Sequence, residues 1–188
     1  MAQLTFRSAG PDDAEGIARL HADSWRRHYR GAYSDAFLDG DVVTNRLSVW
    51  SSRLAAPGAS ATIVAEDGSG LLQGFVHVVF DDDPQWGSLV DNLHVINDRR
   101  RTGVGGALLA RAAEAAVDGA TSKALYLWVL EQNTAAQGFY EAFGGTCSEE
   151  ATVGAPGGVA TRLNGTPKKL RMTWADAASV KREPVAER

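Results

Sequence analysis

Residues 93–109 are the most informative segment of this 188-residue chain. They read Leu93-His94-Val95-Ile96-Asn97-Asp98-Arg99-Arg100-Arg101-Thr102-Gly103-Val104-Gly105-Gly106-Ala107-Leu108-Leu109. An apolar strand pattern leads into a basic loop, then into glycines, and then into a helix pattern rich in alanine and leucine. Glycines allow a tight turn and let an anion approach backbone N–H groups. The helix start adds unpaired N–H donors and the positive end of the helix dipole. The segment therefore predicts an anion site, best suited to a diphosphate.

Two common diphosphate motifs do not fit this segment. The dinucleotide pattern G-x-G-x-x-G fails because Leu108 stands where the last glycine should be. The P-loop pattern requires a lysine, and none follows these glycines. The plain alternative is that Gly103, Gly105 and Gly106 serve only a strand-to-helix turn. The run of arginines just before the turn favours anion binding over that alternative.

The composition fits one globular domain without a metal or a nucleic-acid partner. Hydrophobic residues make up 44% of the chain and charged residues 22%, close to the globular average. A formal net charge of −4 argues against a protein that coats nucleic acid. The single cysteine, Cys147, excludes a disulfide framework within the chain and a cysteine-rich zinc module. The four histidines have no metal-ligand spacing, so we expect no metal.

The sequence also gives no sign of a membrane segment. The longest apolar run, Leu125–Leu130, is too short to cross a bilayer. The first residues lack the charged and apolar regions of a secretory signal. We therefore expect a cytoplasmic protein without a membrane partner.

Hydrophobic periodicity predicts an α/β domain over residues 1–174, followed by a frayed tail over residues 175–188. The predicted order is β-α-α-β-β-β-α-β-α-β-β, with helices on both faces of the sheet. The second helix is expected over about residues 34–55. In the strand over residues 89–96, Asp91 has the same parity as Leu89, Leu93 and Val95. That parity predicts a carboxylate among apolar neighbours, and it turns His94 to the opposite face.

Three motifs resemble one family. Arg100-x-x-Gly103-x-Gly105 resembles the [Q/R]-x-x-G-x-[G/A] signature of the GNAT superfamily of N-acetyltransferases. Residues 127–144 are similar to the family's L-x-V-x-x-x-N-x-x-A-x-x-F-Y-E-x-x-G-F, except that Gly145 replaces the final Phe. A weaker match, Trp25-x-x-x-Tyr29-Arg30-Gly31, resembles the first helix and loop of one bacterial branch.

The resemblance implies a fold and a reaction. The fold is a single GNAT-like domain (α/β, or α+β in some schemes) with a mixed, mostly antiparallel central sheet, splayed between the fourth and fifth strands. The reaction is acetyl transfer from acetyl-CoA to a primary amine of a small molecule, peptide or protein, by direct attack in a ternary complex. A homodimer is compatible with the family. The cofactor-binding residues that the resemblance implies are Leu93, Val95, Arg100, Arg101, Thr102, Gly103, Val104, Gly105, Gly106, Asn133 and Tyr140.

Tyr140 is the candidate acid for the departing thiolate. Asn133 and Tyr140 are seven residues apart, which places them on the same side of a helix. In the family this Asn contacts the pantetheine arm and this Tyr faces the thioester sulfur. A phenol with a pKa of about 10 suits that proton transfer, whereas the alternative role for Tyr140 is an aromatic core residue.

The general base is predicted less specifically. The candidates are Asp91, then His94, then His77, because burial or intrinsic pKa suits each of them. Family members also remove the proton through a water chain without a dedicated base.

Two other functions remain open at this point. One is an acetyl-CoA-binding sensor without turnover, and the other is a protein that binds another nucleotide. The acceptor cannot be deduced from the sequence, although the loops over residues 30–40 and 154–167 are expected to shape its pocket.

Overall fold

The computed structural model describes residues 4–99 and 102–180. Its strands form one seven-stranded sheet in the order β1-β2-β3-β4-β5-β7-β6. All neighbouring strands are antiparallel except β4 and β5, which are parallel. The strands are β1 Thr5–Ser8, β2 Ser60–Glu66, β3 Leu72–Asp83, β4 Gly87–Val95, β5 Leu125–Leu130, β6 Thr146–Thr152 and β7 Lys168–Trp174.

Helices cover both faces of this sheet, so the predicted fold class is confirmed. One face of the sheet packs against α1 and α3, and α2 lies on the same side. Ile17, Trp50 and Phe75 are fully buried there. The other face packs against α4, through Leu108 and Leu109, and against α5. The helices are α1 Ala14–His28, α2 Asp35–Asp39, α3 Val42–Ala55, α4 Val104–Gly119 and α5 Thr134–Ala142.

The two parallel strands at the centre of the sheet separate soon after they start, and this confirms the predicted splay. Strands β4 and β5 pair only at Ser88 with Leu125 and at Leu89 with Tyr126. Beyond those pairs the carboxyl halves of both strands run without partnering each other. The gap opens toward the loop that precedes α4 and toward the start of α5.

A β-bulge in β4 changes which residues face each side of the sheet. His77 pairs with Asn92 and Val78 pairs with Val90, so Asp91 is the extra residue between the two pairs. A bulge reverses the alternation beyond it. The predicted parity put Val90 and Leu93 on opposite faces of the sheet. Because of the bulge, both residues pack in the same core cluster, on the α4 side of the sheet.

Three predicted elements differ from the structure. The helix expected over residues 34–55 is divided into α2 and α3, because Gly40 leaves the helical conformation with φ −101° and ψ −106°. The loop over residues 154–167 contains two short 3₁₀ turns, and Pro156 is buried in it. The tail expected from residue 175 begins with a 3₁₀ turn over Ala177–Ser179.

The start of that tail belongs to the core. Ala177 and Val180 are 2% and 8% exposed and lie in the same cluster as α4. The N–H of Ala177 also donates to the carbonyl oxygen of Lys123 at 2.7 Å. The prediction of a frayed end is therefore wrong for residues 175–180, and residues 181–188 lie outside the described residues. Within the described part of the chain, no helix has the length and apolar character needed to cross a bilayer.

Candidate active site

The gap between β4 and β5 exposes the backbone edge of β4. Ile96 donates its N–H to the carbonyl oxygen of Gln73 at 2.9 Å, next to β3. Alternation in an antiparallel ladder then turns the N–H and C=O groups of Val95 and Leu93 away from β3 and into the gap. Among the described residues no strand pairs with these groups. They are available to an extended ligand that enters the gap.

The amino end of α4 lies at the open end of this gap. Gly103 caps the helix with φ 84° and ψ −10°, a left-handed conformation that favours glycine. The Thr102 hydroxyl donates to the carbonyl oxygen of Arg99 at 2.6 Å and closes the preceding turn. The first-turn N–H groups, including that of Val104, have no intrahelical acceptor. Arg100 and Arg101, both predicted to bind the cofactor, lie outside the described residues.

Of the two glycines near the start of α4, Gly106 is needed for close packing against α5 and Gly105 is not. A Cβ built on Gly106 would lie 2.4 Å from Cζ of Phe143. A Cβ on Gly105 would lie 3.5 Å from Cζ of Phe139, which is an ordinary contact. The lack of a side chain at Gly106 therefore lets α5 approach α4, and that approach sets the position of the Tyr140 helix. This packing role was not predicted from the sequence.

Asn133 and Tyr140 occupy opposite ends of the short helix α5. The Asn133 side chain accepts a hydrogen bond from the N–H of Ala136 at 3.3 Å, so it caps the helix rather than projecting from it. Tyr140 is half-buried and packs edge-on to Phe139 at 5.1 Å between ring centroids. Its hydroxyl has no hydrogen-bond partner within residues 4–99 and 102–180. Burial, and next repulsion from Tyr29, raise the pKa of Tyr140 well above its ordinary value.

Comparison with known protein families identifies the family to which this chain belongs. The Acetyltransferase (GNAT) family matches residues 17–145, which include β4, the turn before α4, and both β5 and α5. The chain belongs to the GNAT acetyltransferase family. The family recognised from the sequence motifs is thereby confirmed.

Relatives and solved structures agree with this assignment. YuaI, an uncharacterized N-acetyltransferase of Bacillus subtilis (strain 168), is 29% identical over 142 residues, covering 74% of this chain and 79% of that protein. Rv2775, a probable N-acetyltransferase of Mycobacterium tuberculosis, is 29% identical over 143 residues, covering 73% and 77%.

Two solved structures show the same fold at low identity. The PaiA N-acetyltransferase of Thermoplasma acidophilum, in complex with coenzyme A, has a TM-score of 0.67 at 16% identity, covering 92% of this chain and 99% of that one. YncA of Salmonella typhimurium, a putative acetyltransferase with its cofactor acetyl-CoA, has a TM-score of 0.65 at 17% identity, covering 93% and 95%.

Asp91 does not have the apolar surroundings that its parity in the strand predicted. It is the bulged residue of β4, and its side chain is 31% exposed. Its Oδ2 lies 2.6 Å from Nη1 of Arg53 on α3 and accepts a hydrogen bond from the Asn92 amide at 2.7 Å. The bulge reverses the parity on which the prediction rested.

The two candidate histidines are held neutral by the fold. Nδ1 of His94 lies 2.8 Å from the Ser24 hydroxyl, and burial lowers the pKa of His94 to about 3. Nδ1 of His77 lies 2.8 Å from the Thr62 hydroxyl, and burial lowers the pKa of His77 to about 4. Neither imidazole can hold a proton near neutral pH, so both are poor general bases.

The two loops expected to shape an acceptor pocket are joined to each other. Tyr33 and Leu163 form an isolated β-bridge, and the N–H of Ser34 donates to the carbonyl oxygen of Arg162 at 2.9 Å. A cavity of about 310 Å³ lies beside this junction, at the carboxyl end of β5. Its lining is Gly31, Glu131, Gln132, Asn164, Thr166, Pro167 and Lys168.

Sequence reasoning missed the charged residues on the inner face of α3. Arg46 is buried on the same helix face as Val42, Trp50 and Leu54. Its position four residues after Val42 and four before Trp50 was a signal available in the sequence, because a charge on the apolar face of a helix is uncommon. Among the described residues, no group of three His, Cys, Asp or Glu side chains is arranged to hold a metal.

Proposed function

We propose that this protein transfers the acetyl group of acetyl-CoA to a primary amine, by direct attack of the amine within a ternary complex. The observation that carries the proposal is the gap between β4 and β5, which exposes the β4 edge and ends at the amino terminus of α4. Two proteins of the same fold have been solved with coenzyme A or acetyl-CoA. The family assignment supports the same chemistry.

The residues around the gap fit the parts of acetyl-CoA. The free N–H and C=O groups of Leu93 and Val95 suit the amides of an extended pantetheine arm. The turn Thr102–Gly106, with the left-handed Gly103, presents first-turn N–H groups to a pyrophosphate. Arg100 and Arg101 are proposed to add charge there. The Asn133 amide nitrogen remains able to donate to the arm while its oxygen caps α5.

Acetyl-CoA supplies an acetyl group activated as a thioester. A C–N bond to the amine forms, the C–S bond breaks, the nitrogen loses one proton, and the sulfur gains one. The free hydroxyl of Tyr140 is proposed to donate to the sulfur. Its raised pKa keeps the phenol protonated at every working pH. The same burial raises the pKa of a thiol held beside it, so the difference between the two pKa values governs the transfer.

The proton on the amine is proposed to leave through water. His94 and His77 are neutral and hydrogen-bonded, and their low pKa values of about 3 and about 4 oppose proton uptake. Asp91 is the candidate carboxylate in the gap region, and Arg53 competes for its charge. We propose that Asp91 orients the water rather than receives the proton directly.

The proposal is tested by ligand binding and by turnover on the same preparation. Calorimetry should show saturable binding of acetyl-CoA, with no binding of NAD or ATP at the same concentrations. Thiol release in the presence of an amine panel should then exceed release without amine. Binding of acetyl-CoA without amine-dependent thiol release would indicate a sensor, and binding of NAD or ATP would indicate another nucleotide.

The role of Asp91 has its own test. The pH profile of kcat/KM for Asp91→Asn should keep its shape if Asp91 only orients water, and should lose its acidic limb if Asp91 is the base. Asn92→Asp is not a suitable control because Asn92 donates to Asp91. Asp12→Asn, which changes an exposed carboxylate in the 3₁₀ turn Pro11–Asp13, serves as the matched control.

A further inference from the structure

Arg46 is a nearly buried guanidinium without a carboxylate partner. The residue is 9% exposed, and its guanidinium lies over the Trp25 ring at 4.2 Å from the centroid. Its Nε and Nη2 both contact the side-chain oxygen of the adjacent Asn45, at 3.0 and 2.5 Å. Within residues 4–99 and 102–180 no Asp or Glu pairs with it. Its Nη1 has no hydrogen-bond partner there.

Arg46 differs from two exposed arginines of α1, the helix on the same side of the sheet, because each of those arginines pairs with a carboxylate. Arg19 pairs with Glu15 and Arg27 with Asp23, each one helical turn away. A surface ion pair of that kind contributes little to stability. A buried charge without a partner is costly. The largely buried charge of Arg46 is therefore balanced by no carboxylate of the described residues, and a ligand that balances it would offset part of that cost.

The surroundings of Arg46 are themselves positive. Arg53 and Arg162 both lower the pKa of Arg46, and burial lowers it more, to about 10, so the group remains charged near neutral pH. Arg162 donates to a backbone carbonyl and stacks over Phe37 at 4.6 Å, without an ion pair among the described residues. The one carboxylate that acts on Arg46, that of Asp91, is held by Arg53 at 2.6 Å.

Arg46 is linked by aromatic ring contacts to the β4 strand that borders the proposed cofactor site. Tyr29 packs on Trp25, the ring over which Arg46 lies, at 5.4 Å between centroids. Trp25 also lies 4.6 Å from the His21 ring, and His21 lies 4.5 Å from the ring of His94, in the part of β4 that borders the gap, both measured between ring centroids. Two aromatic rings, those of Trp25 and His21, therefore connect the Arg46 guanidinium with the β4 strand at which acetyl-CoA is proposed to bind.

We propose, on the basis of the proposed function, that the acceptor is an amine that also carries a carboxylate, and that Arg46 binds this carboxylate. The planar guanidinium can pair with both oxygens of a carboxylate. The aromatic side chains of Trp25, Tyr29 and Tyr33 pack together on one side of Arg46 and suit an apolar portion of the acceptor. The acceptor class is therefore an amino acid or a close analogue, rather than a polyamine.

The test compares amino acids with their carboxamides, which have the same shape without the negative charge. Phenylalanine and phenylalaninamide, leucine and leucinamide, and lysine and lysinamide form the panel, with thiol release as the readout. The amine of a carboxamide loses its proton more readily, so this comparison is biased against the proposal. Aminomethylphosphonate and glycine distinguish a phosphonate from a carboxylate.

Three variants test whether Arg46 causes the preference for acids over carboxamides. Arg46→Met removes the charge and keeps the length of the side chain, Arg46→Lys keeps the charge without the planar fork, and Arg19→Met is the matched exposed control. In wild type, kcat/KM for the acids should exceed that for the carboxamides at least tenfold. Arg46→Met should lower the value for the acids by about ten- to hundredfold, as expected for loss of a charge-assisted hydrogen bond, and leave the carboxamides within twofold.

Stability separates this role from a structural one. Because the charge of Arg46 is buried without a partner, Arg46→Met should melt at the same temperature as wild type or higher. A lower melting temperature with equal losses for acids and carboxamides would overturn the inference. So would amine-dependent thiol release that ignores the carboxylate, or that prefers the phosphonate. If no amine releases thiol, the proposed function itself fails, and the inference fails with it.

Discussion

Gly106→Ala tests the packing that positions α5 and the Tyr140 hydroxyl. The new Cβ would lie 2.4 Å from Cζ and 2.8 Å from Cε1 of Phe143. Carbon atoms in contact are separated by about 3.5–4.0 Å, so the ring or the helix must move by about 1 Å. Phe143 is 3% exposed and its ring lies 4.8 Å from the Phe139 ring, while its backbone carbonyl oxygen accepts a hydrogen bond from the Trp174 indole at 3.0 Å. The ring has little freedom to move.

The expected cost follows from these contacts. Overpacking a filled core costs about 1–3 kcal/mol. Replacing a helical glycine by alanine returns up to about 1 kcal/mol. With the full gain in helix propensity, the net loss should be up to about 2 kcal/mol, which lowers Tm by up to about 8 °C in a domain of this size.

Gly105→Ala is the internal control for this prediction. Its Cβ would meet Phe139 at 3.5 Å, an ordinary contact, so the gain in helix propensity should leave Tm unchanged or raise it by up to about 4 °C. Thermal unfolding followed by circular dichroism measures both variants. Adding Phe143→Leu to Gly106→Ala should recover part of the loss. Equal or greater stability of Gly106→Ala relative to Gly105→Ala would refute the packing argument.

Three further predictions concern the site and its pH dependence. Tyr140→Phe should lower kcat by about 10²–10⁴-fold with little change in acetyl-CoA affinity, whereas Tyr126→Phe, whose hydroxyl bonds Asp82 at the closed end of the gap, should keep kcat; equal effects in steady-state kinetics would contradict the role of Tyr140. Gly103→Ala forces a Cβ into φ 84° and should weaken acetyl-CoA binding in calorimetry, with Gly103→Asn weakened less because asparagine tolerates this conformation. His77 has a folded pKa of about 4, below the unfolded value of 6.5, so the unfolded state binds the extra proton between those values. The contribution of His77 to the free energy of unfolding should therefore fall by up to about 3 kcal/mol as pH falls from 7 to 4. Denaturant unfolding should show a smaller fall over that pH range for His77→Gln than for wild type, and an equal fall would contradict this.

The elements around the proposed cofactor site were predictable because they are local in sequence. A strand, a glycine turn and a helix start are adjacent in residues 93–109, so one segment builds the exposed strand edge and the turn that is proposed to bind the pyrophosphate. The left-handed φ of Gly103 is what such a turn requires. The splay between β4 and β5 followed from the family resemblance rather than from the pattern of either strand.

The catalytic base and the acceptor side were less predictable because they depend on tertiary contacts. A single bulge at Asp91 reverses the alternation of β4 and places its carboxylate against Arg53, 38 residues earlier in the chain. Pairing with Ser24 and burial keep His94 neutral, which no local pattern shows. Asn133 has the spacing of a helix-face residue, yet its side chain caps α5. In each case a partner distant along the chain, or a helix end, decides the role.

The most direct test of the account measures both products of the reaction. Purified protein is incubated with acetyl-CoA and each amino acid of the panel, and free thiol and N-acetylated product are quantified together by absorbance and mass spectrometry. The account predicts equal amounts of thiol and N-acetyl product, dependent on both substrates and greatly reduced in Tyr140→Phe. Thiol release without an acetylated amine, or no release above the protein-free control, would contradict it.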